Sequence, residues 1–594
     1  MPGPNISTMF DDMVGLPWPL QWFAARLLGV NKATQLYETL RTAGEGQAIC
    51  KRVLTELAVT CRVGERDLQQ IPRTGPLMIV ANHPFGALEA AVLATVLERV
   101  RPDIRFLAND VLSVIPEIQD LILPVDVTRG SSAARHNLTS LRRSIEFLKG
   151  GGCLVVFPAG EVSHYQASQR TVTDSKWRTA AARMIDTLSR HGVPASVVPI
   201  FINGSNSLLF QVLGLIHPRL RTALLARELL NKRNRLVELR IGSPIAGEKL
   251  REVGTPEQQT EYLRWRTYVL AERQDYRAVT RRPLRNMLRH RRSLQVAACA
   301  IDSTRLADEV ERLGPARMLA KAGDLEVYIA SAEAIPLVLQ EIGRLREITF
   351  RQAGEGTGNP TDLDRFDSLY LHLFAWNAAK HEIVGAYRFA GTDAVGDLYT
   401  ATLFQYDAAF LDKMGPALEL GRSFVRDEYQ KRFGPLLALW KGIGAYIARN
   451  PRYKILFGPV SISNQYQAVS RELMVTFLER RASVREWIGL VANRNPLRRR
   501  CTKPEFPDAG FDLEDLSDVV SDLEASRAGI PVLLRQYLKL GGKLLGFNVD
   551  PEFSEALDGL ILVDLTKTEP RLLDRYLGKA AASEFLKHHM GSES

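Results

Sequence analysis

The chain has 594 residues, of which 45% are hydrophobic and 24% are charged, and its formal net charge is +10. This composition is typical of a globular protein with about two to four domains. It excludes a disordered or low-complexity chain, because such chains lack the apolar residues needed to build a core.

The five cysteines, at positions 50, 61, 153, 299 and 501, form no Cys-x-x-Cys pair, and no histidine lies at metal-binding spacing. This pattern predicts reduced thiols, a cytoplasmic protein and no metal site. Residues 1–12 lack the basic start of a signal peptide. No apolar run reaches the length of about 18 residues that would predict a transmembrane helix.

Basic residues cluster at positions 281–285, 289–292 and 498–500. These clusters suit anionic lipid headgroups or an acidic protein, and each one alone is also compatible with a solvated surface. No nucleic-acid-binding motif accompanies them, so no nucleic-acid partner is expected. Residues 17–28, with Trp18, Trp22 and Phe23, predict a helix that either lies at a membrane interface or docks as an ordinary helix.

The first part of the chain, residues 1–292, alternates predicted strands and helices. Strands are predicted at 77–81, 104–108, 153–157 and 196–202, with helices at 87–100 and 133–149. This alternation predicts an α/β domain.

An Asn-His pair follows the first of these strands. The apolar run Leu77–Ala81 leads into Asn82 and His83, and a carboxylate, Glu89, follows six residues after the histidine. In such a strand–loop–helix layout the imidazole takes a proton from a hydroxyl, and the carboxylate holds the imidazole and stabilises its cation. The pattern therefore predicts direct acyl transfer to a hydroxyl, although a histidine with a purely structural role remains the alternative.

Two further segments strengthen this prediction: Phe157-Pro158-Ala159-Gly160-Glu161 and Val197-Val198-Pro199-Ile200. Together with the His83 motif they resemble the lysophosphatidic acid acyltransferase family. The resemblance implies catalytic roles for His83 and Glu89 and substrate binding by Phe157, Pro158, Gly160 and Glu161. The family's carboxylate falls at the position of Leu88, and Ala159 replaces its glutamate, which argues against a glycerol-phosphate acceptor. The Asn-His-Pro-Phe-Gly form looks like the branch that O-acylates lyso-ornithine lipids.

A helical connector is predicted at residues 293–321, and a second domain at 322–594. Strands are predicted at 325–329, 369–376, 382–389 and 418–425, a helix at 337–349, and a hairpin turn around 377–381. An acidic cluster at 362–367 precedes the hairpin.

The second domain resembles the acyl-homoserine lactone synthase branch of the N-acyltransferase (GNAT) fold. The matching residues are Asp364, Asp367, Arg388, Glu419 and Arg422. The resemblance implies a catalytic role for Glu419 and substrate binding by the other four. An attacking amine must lose a proton to a carboxylate, and arginines bind carboxylates or phosphates by paired hydrogen bonds. Gly421 replaces the family's serine, so lactone formation is not implied. The loop that binds coenzyme A is absent, which favours acyl-carrier protein as donor and no other cofactor.

The order of the two domains resembles the bifunctional ornithine lipid synthases of bacteria. That resemblance implies that the second domain N-acylates ornithine with a 3-hydroxyacyl group from acyl-carrier protein. The first domain then O-acylates the resulting lyso-ornithine lipid. The implied partners are acyl-carrier protein, ornithine, lyso-ornithine lipid and an anionic membrane surface. The expected location is the cytoplasmic face of the inner membrane, where the protein would be peripheral.

Two alternatives remain open from the sequence. One is a phospholipid acyltransferase fused to an N-acyltransferase for another amino acid such as glycine. The other is a non-catalytic, haemolysin-like membrane-binding protein that has kept both folds. The intact pairs His83 with Glu89 and Glu419 with Arg422 argue against the second alternative.

Overall fold

The computed structural model describes residues 30–40, 47–125, 131–216, 218–274, 294–430, 434–487, 489–498, 506–507 and 510–590. The chain divides into two compact units. The first comprises Met1–Arg273 with Glu505–Arg527, and the second comprises Gln274–Pro504 with Ala528–Ser594. The predicted α/β class with two modules is confirmed, since each unit combines helices with its own main sheet.

The strands are β1 (Thr60–Arg62), β2 (Leu77–Ala81), β3 (Ile104–Asn109), β4 (Ile122–Val125), β5 (Cys153–Val156), β6 (His164–Gln166), β7 (Thr171–Thr173), β8 (Ser196–Asn203), β9 (Leu236–Ile241), β10 (Ile245–Ala246), β11 (Met318–Ala322), β12 (Leu325–Ser331), β13 (Leu371–Asn377), β14 (Glu382–Gly391), β15 (Phe404–Tyr406), β16 (Ala417–Val425), β17 (Ile455–Ile462), β18 (Val491–Asn493), β19 (Lys543–Asp550) and β20 (Ala556–Asp564).

The α-helices are α1 (Val30–Leu40), α2 (Gln47–Glu56), α3 (Glu65–Leu68), α4 (Leu88–Leu97), α5 (Ser131–Lys149), α6 (Ala180–Arg190), α7 (Leu208–Ile216), α8 (Pro218–Leu230), α9 (Gly247–Glu252), α10 (Pro256–Tyr268), α11 (Ser303–Leu313), α12 (Pro336–Gln352), α13 (Ala408–Met414), α14 (Asp427–Gln430), α15 (Gly434–Arg449), α16 (Ala468–Arg481), α17 (Leu513–Leu523), α18 (Val532–Lys539), α19 (Pro570–Leu577) and α20 (Lys579–Met590).

The main sheet of the first unit has the strand order β1-β9-β8-β2-β5-β3-β4, and β10 pairs with β8. Strand β2 lies at its centre and runs parallel to both neighbours, β5 and β8. Every residue of β2 and β5 is buried, as expected for central parallel strands that are covered on both faces. The loops that follow β2, β5 and β8 therefore leave the sheet at the same edge.

The main sheet of the second unit has the order β11-β12-β13-β14-β16-β17-β20-β19. Its neighbours pair in antiparallel fashion except for β16 and β17, which run parallel over Ala417–Glu419 only. The predicted hairpin is confirmed as β13 and β14. Helix α12 packs Val338, Ile342 and Leu345 into a core with residues of this sheet.

The predicted domain boundaries differ from these units in two places. Helix α11 and strand β11 overlap the predicted connector 293–321, but β11 is the edge strand of the second sheet. The segment 505–527, predicted within the second domain, belongs to the first unit. Its Asp522 is fully buried, accepts hydrogen bonds from the amide and hydroxyl of Ser243 at 2.8 Å, and pairs with Arg266 at 3.3 Å. The first difference arises because β11 pairs with β12, the strand that directly follows it. The second arises because the contacts of Asp522 join residues that are 256 and 279 positions apart.

Some predicted features lie outside the described residues. These are the helix at 17–28, the basic clusters at 281–285 and 289–292, and the last two arginines of the cluster at 498–500. Within the described part of the chain, no helix combines the length and apolar character needed to cross a bilayer.

Candidate active sites

The first candidate site forms where the loops after β2, β5 and β8 leave the sheet of the first unit. Asn82 fixes the β2 loop to β8, because its amide nitrogen donates to the Ile202 carbonyl at 2.9 Å and its oxygen accepts from the Ile202 amide at 2.7 Å. The three motifs predicted from the sequence are thus brought together at one edge.

His83 and Glu89 form a close pair at the centre of this site. The Nδ1 atom of His83 lies 2.6 Å from Oε1 of Glu89, whose side chain is fully buried in the first turn of α4. The same oxygen accepts hydrogen bonds from the amides of Phe85 at 3.0 Å and Gly86 at 2.8 Å. Since Nδ1 is engaged, Nε2 is the nitrogen left to accept a proton, and the ring keeps 17% of its side-chain surface exposed.

The turn between the two residues allows Glu89 to reach the histidine. Gly86 has φ +114°, a conformation that other residues avoid, and a Cβ there would lie 2.8 Å from Leu225. Leu88, at the position of the family's carboxylate, is buried in the core instead.

Burial and the neighbouring charges shift the pKa values of His83 and Glu89 in opposite directions. Burial alone lowers the pKa of His83, but the carboxylates of Glu89 and Asp174 outweigh it, so the pKa of His83 is raised. Burial tends to raise the pKa of Glu89, but His83 and the backbone amides outweigh it and lower that pKa. Glu89 is therefore an anion that stabilises the imidazolium formed when His83 takes a proton.

The second motif contributes one direct contact and a shaped loop. The ring of Phe157 stacks on His83 with centroids 4.5 Å apart. The Pro158 carbonyl accepts a hydrogen bond from the Arg178 amide at 2.8 Å, and Gly160 has φ +68°. Glu161 is exposed and pairs with Arg221 at 3.3 Å. Of the four predicted binding residues, Phe157 contacts His83 directly.

Sequence reasoning missed a buried aspartate that supports the histidine loop. Asp174 accepts a hydrogen bond from the His83 amide at 3.2 Å and from the indole of Trp177 at 2.8 Å. It also accepts one from the hydroxyl of Ser163, whose amide donates to the His83 carbonyl at 2.8 Å. Asp174 lies 91 residues after His83, so no local pattern in the sequence reveals this contact.

The second candidate site lies around a bulge in β16. Ala386 pairs with Phe424 but Arg388 pairs with Gly421, so Arg422 and Ser423 stand opposite the single residue Tyr387. Arg422 has φ +49°, a left-handed conformation that costs about 1 kcal/mol or more for a residue with a side chain. Strand β17 pairs with β16 only before the bulge. Strands β16 and β17 are therefore no longer paired at Arg422.

A network of arginines and aspartates fills this site. Arg346 is buried and pairs with both oxygens of Asp367 at 2.9 and 3.0 Å. Arg388 is also buried and contacts Asp364 at 2.5 Å and Asp367 at 3.2 Å. Burial tends to raise the pKa of Asp364 and of Asp367, but the arginines outweigh it and lower both values. The predicted residues Asp364, Asp367 and Arg388 are therefore charged and in mutual contact.

Arg422 has looser ionic contacts than the other two arginines. Its guanidinium lies 3.6 Å from Asp362 and 3.5 Å from Asp364. The rings of Tyr399 and Phe553 lie 4.9 and 4.8 Å away. A guanidinium held by aromatic rings but only loosely paired is suited to binding the carboxylate of a substrate.

Glu419 is occupied by hydrogen bonds. Its buried carboxylate accepts from the amides of Thr400 at 2.6 Å and Tyr399 at 3.1 Å, and from the hydroxyl of Tyr370. The ring of Tyr399 in turn lies 5.2 Å from the guanidinium of Arg388. This geometry favours a positioning role for Glu419, which holds Tyr399 against the arginines, over the proton-accepting role predicted from the sequence.

Three further carboxyl groups near Arg422 were not predicted. Burial, reinforced by Asp558, raises the pKa of Glu355 to about 8, and Arg422 opposes this shift. Burial, with Asp550 adding to it, raises the pKa of Asp558 to about 7, again against the effects of Ser461 and Arg422. Burial also raises the pKa of Asp550. Glu355 lies about 200 residues before the β19–β20 hairpin that carries Asp550 and Asp558, so only the folded sheet reveals the cluster.

The two sites define the class of protein, because each unit carries residues suited to acyl transfer. Residues 48–276 match the family described as Acyltransferase, and residues 345–441 match the Acetyltransferase (GNAT) domain. The protein is therefore an acyltransferase with two modules.

Three bacterial relatives narrow this class. A glycine N(alpha)-acyltransferase of Bacteroides thetaiotaomicron is 34% identical, covering 42% of this chain and 79% of that protein. A lyso-glycine lipid O-acyltransferase of Phocaeicola vulgatus is 26% identical, covering 35% and 73%. An L-ornithine N(alpha)-acyltransferase of Rhizobium meliloti is 26% identical, covering 44% and 86%. The chain belongs to the family of the glycine N(alpha)-acyltransferase, and it combines this N-acyltransferase module with an acyltransferase module in one chain.

Proposed function

We propose that the second unit joins a 3-hydroxyacyl group from acyl-carrier protein to the α-amine of ornithine. The first unit then esterifies the new hydroxyl with a second acyl chain. The observation that carries this proposal is the His83–Glu89 pair, with Nδ1 and Oε1 2.6 Å apart, in the same chain as the arginine–aspartate site. A single chain with both sites passes the first product to the second site at a raised effective concentration.

In the ester-forming step, Nε2 of His83 takes the proton from the hydroxyl of the lyso-lipid. The hydroxyl oxygen attacks the thioester carbonyl, the carbon–sulfur bond breaks, and the departing thiolate receives the proton from the imidazolium. Glu89 stays ionised and stabilises the imidazolium while the proton is held there. No covalent acyl-enzyme is needed, because the acceptor attacks the thioester directly.

In the amide-forming step, Arg422 binds the α-carboxylate of the amino acid. Its loose contacts with Asp362 and Asp364 leave donors for a bidentate interaction with the substrate. The α-ammonium must lose a proton before its nitrogen attacks the thioester carbonyl. The carbon–sulfur bond then breaks, and the departing thiolate takes the second proton from the nitrogen. The raised pKa of Glu355, about 8, suits a carboxylate that accepts the first proton near neutral pH.

The number of carboxyl groups supports ornithine as the amino acid. One carboxylate is enough to accept the proton from an α-ammonium, yet the charge of Arg422 lowers the pKa of three carboxyl groups, those of Glu355, Asp550 and Asp558. Ornithine carries a second ammonium on its side chain, which would pair with one of the remaining carboxylates. Glycine is the second candidate, because a relative named for glycine has the higher identity, 34% against 26%.

The test uses the purified full-length chain with 3-hydroxyacyl-acyl-carrier protein, a second acyl-carrier-protein thioester, and either ornithine or glycine. We expect a diacylated ornithine lipid by mass spectrometry. Arg422→Ala should yield neither lyso-lipid nor diacyl lipid from ornithine, and added lyso-ornithine lipid should restore the diacyl product. Glu419→Gln should act in the same direction.

Each other outcome has a defined meaning. A product from glycine alone would transfer the proposal to glycine lipid. Activity with coenzyme A thioesters but not with acyl-carrier protein would contradict the proposed donor. Esterification of lysophosphatidic acid alone by the first unit would support a phospholipid acyltransferase. No transfer to any acceptor, together with vesicle lysis, would support the haemolysin-like alternative.

We also propose that the protein acts at the cytoplasmic face of the inner membrane as a peripheral protein. Acyl-carrier protein and ornithine are water-soluble, whereas the lyso-lipid partitions into a bilayer. The net charge of +10 favours association with an anionic surface.

A further inference from the structure

Helix α7 presents an unusual surface on the first unit. Its nine residues, Leu208–Ile216, include no charged side chain. Exposed fractions are 79% for Leu208, 47% for Val212, 63% for Leu215 and 70% for Ile216. A contiguous set of large apolar side chains on a protein surface is characteristic of an interaction site.

The exposed residues share one side of the helix. Leu208, Val212, Leu215 and Ile216 follow helical spacing and form a stripe, while Phe210 and Gln211 are buried against the unit. Leu209 and Leu220 are exposed to a lesser degree and widen the apolar surface. We call the residues Leu208, Leu209, Val212, Leu215, Ile216 and Leu220 the α7 surface.

The α7 surface lies beside the candidate ester-forming site. Just before the helix, the side chain of Asn206 donates a hydrogen bond to the carbonyl of Phe85 at 3.1 Å. After it, Leu225 of α8 packs at Gly86, within the turn that joins His83 to Glu89. The α7–α8 hairpin therefore supports the histidine loop on one side and carries the α7 surface on the other.

The exposed charges of segments 160–178 and 204–235 are mostly of one sign. Among the described residues of segments 160–178 and 204–235, the exposed basic side chains are Arg170, Lys176, Arg178, Arg233 and Arg235. The only exposed carboxylate there is Glu161, which is already paired with Arg221. A chargeless apolar helix with basic side chains around it complements an anionic bilayer, whose headgroups attract the cations while the acyl region takes the apolar groups.

We propose that the α7 surface inserts into the interfacial region of an anionic lipid bilayer, and that the first unit takes its lyso-lipid acceptor directly from that membrane. The acceptor part of this inference rests on the proposed ester-forming function. The binding part does not, because vesicle binding is measured without any acyl donor.

The test is flotation of the full-length protein with vesicles of phosphatidylcholine alone and of equal parts phosphatidylcholine and phosphatidylglycerol. The variant is Leu215→Glu with Ile216→Glu. The matched control is Leu369→Glu with Val532→Glu, which changes two comparably exposed apolar residues of the second unit. We expect wild type and control to float with the anionic vesicles, and the α7 variant to bind about tenfold more weakly or worse.

Activity provides an independent readout. The α7 variant should show a raised KM for long-chain lyso-lipid in vesicles and an unchanged KM for a short-chain, water-soluble lyso-lipid. If wild type esterifies neither acceptor but still floats, the proposed function fails and the binding surface stands. If the variant floats like wild type, the inference about α7 is overturned, and a concomitant change from dimer to monomer would assign the surface to a second copy of the chain.

Discussion

The two candidate sites use charge in contrasting ways. The first relies on one imidazole and one carboxylate, and the imidazole keeps 17% of its side-chain surface exposed. The second holds three arginines, Arg346, Arg388 and Arg422, against the aspartates at 362, 364 and 367. In the first site a single proton is transferred to and from Nε2 of His83. In the second site the arginines and aspartates are paired with one another before any substrate binds.

This difference follows the chemistry of the acceptors that we propose for the two sites. A hydroxyl is neutral, so a site that activates it needs only a base that the acceptor can reach. An amino acid carries a carboxylate and at least one ammonium, so its site must offer both signs in a buried place. Burying charges is costly unless they are paired, which explains why the second site is a network and why changes there should affect folding as well as activity.

The largest expected effect belongs to the single base of the first site. His83→Ala should lower ester formation by about 100- to 10,000-fold, because no other group takes the hydroxyl proton. Amide formation should continue, so lyso-lipid accumulates, as measured by mass spectrometry of the products. His191→Ala, which changes an exposed histidine of the same unit, serves as the control. Normal diacyl lipid from His83→Ala would remove this residue from the mechanism.

The network should respond through stability. Arg346→Ala leaves Asp367 and Asp362 buried without their main partner and should lower the free energy of unfolding by about 3 to 5 kcal/mol. Arg365→Ala breaks an exposed pair with Asp397 and should cost about 1 kcal/mol or less. Urea denaturation of both variants measures the contrast. If both variants lost the same free energy of unfolding, the ion pairs of the second site would contribute no more to stability than an exposed surface pair.

Asp558 should make ornithine binding depend on pH. Its pKa is raised to about 7, so the carboxyl is neutral below that pH and becomes a partner for an ammonium above it. The KM for ornithine should therefore fall as pH rises through about 7, and Asp558→Asn should raise this KM about tenfold at high pH and flatten the profile. The KM for glycine, measured in parallel, should not change. If the KM for ornithine of the wild type did not vary with pH, Asp558 would not be part of the amino-acid site.

The smallest expected effect is a shift in the pH profile of ester formation. The raised pKa of His83 means that the neutral base is lost as pH falls through a value above the ordinary one. In Glu89→Gln the carboxylate that raises this pKa is absent and burial lowers it, so the acidic limb of the rate profile should move to lower pH even though the maximum rate falls. An acidic limb that stays in place would mean that another group controls it.

The sequence predicted the first site more completely than the second. Strand β2 was predicted with its observed bounds, and His83 and Glu89 form the expected pair. The stacking of Phe157 on His83 was not predicted. Local patterns are enough there because strand, loop and helix follow each other directly. Asp174 could not be found, because its contact with His83 depends on the return of the chain after 91 residues.

The second site depends more on long-range pairing. The hairpin β13–β14 and the cluster around Asp364 were predictable from alternation and turn signals. Asp558 faces Ser461 of β17, which lies 97 residues earlier in the chain. The bulge at Arg422 likewise depends on a register shift between two strands, which composition does not reveal.

The segment that ends at Arg527 has a consequence for synthesis of the chain. Asp522 binds Ser243 and Arg266, and Arg527 donates to the Ile241 carbonyl at 2.7 Å. During translation, the first unit therefore lacks the segment that ends at Arg527 until residue 527 has left the ribosome. Domains usually fold in order as they leave the ribosome, but here completion of the earlier one must wait until most of the later one has been made. A gene split after residue 292 would leave the ester-forming half permanently unfinished, and supplying 505–527 as a separate peptide should restore it.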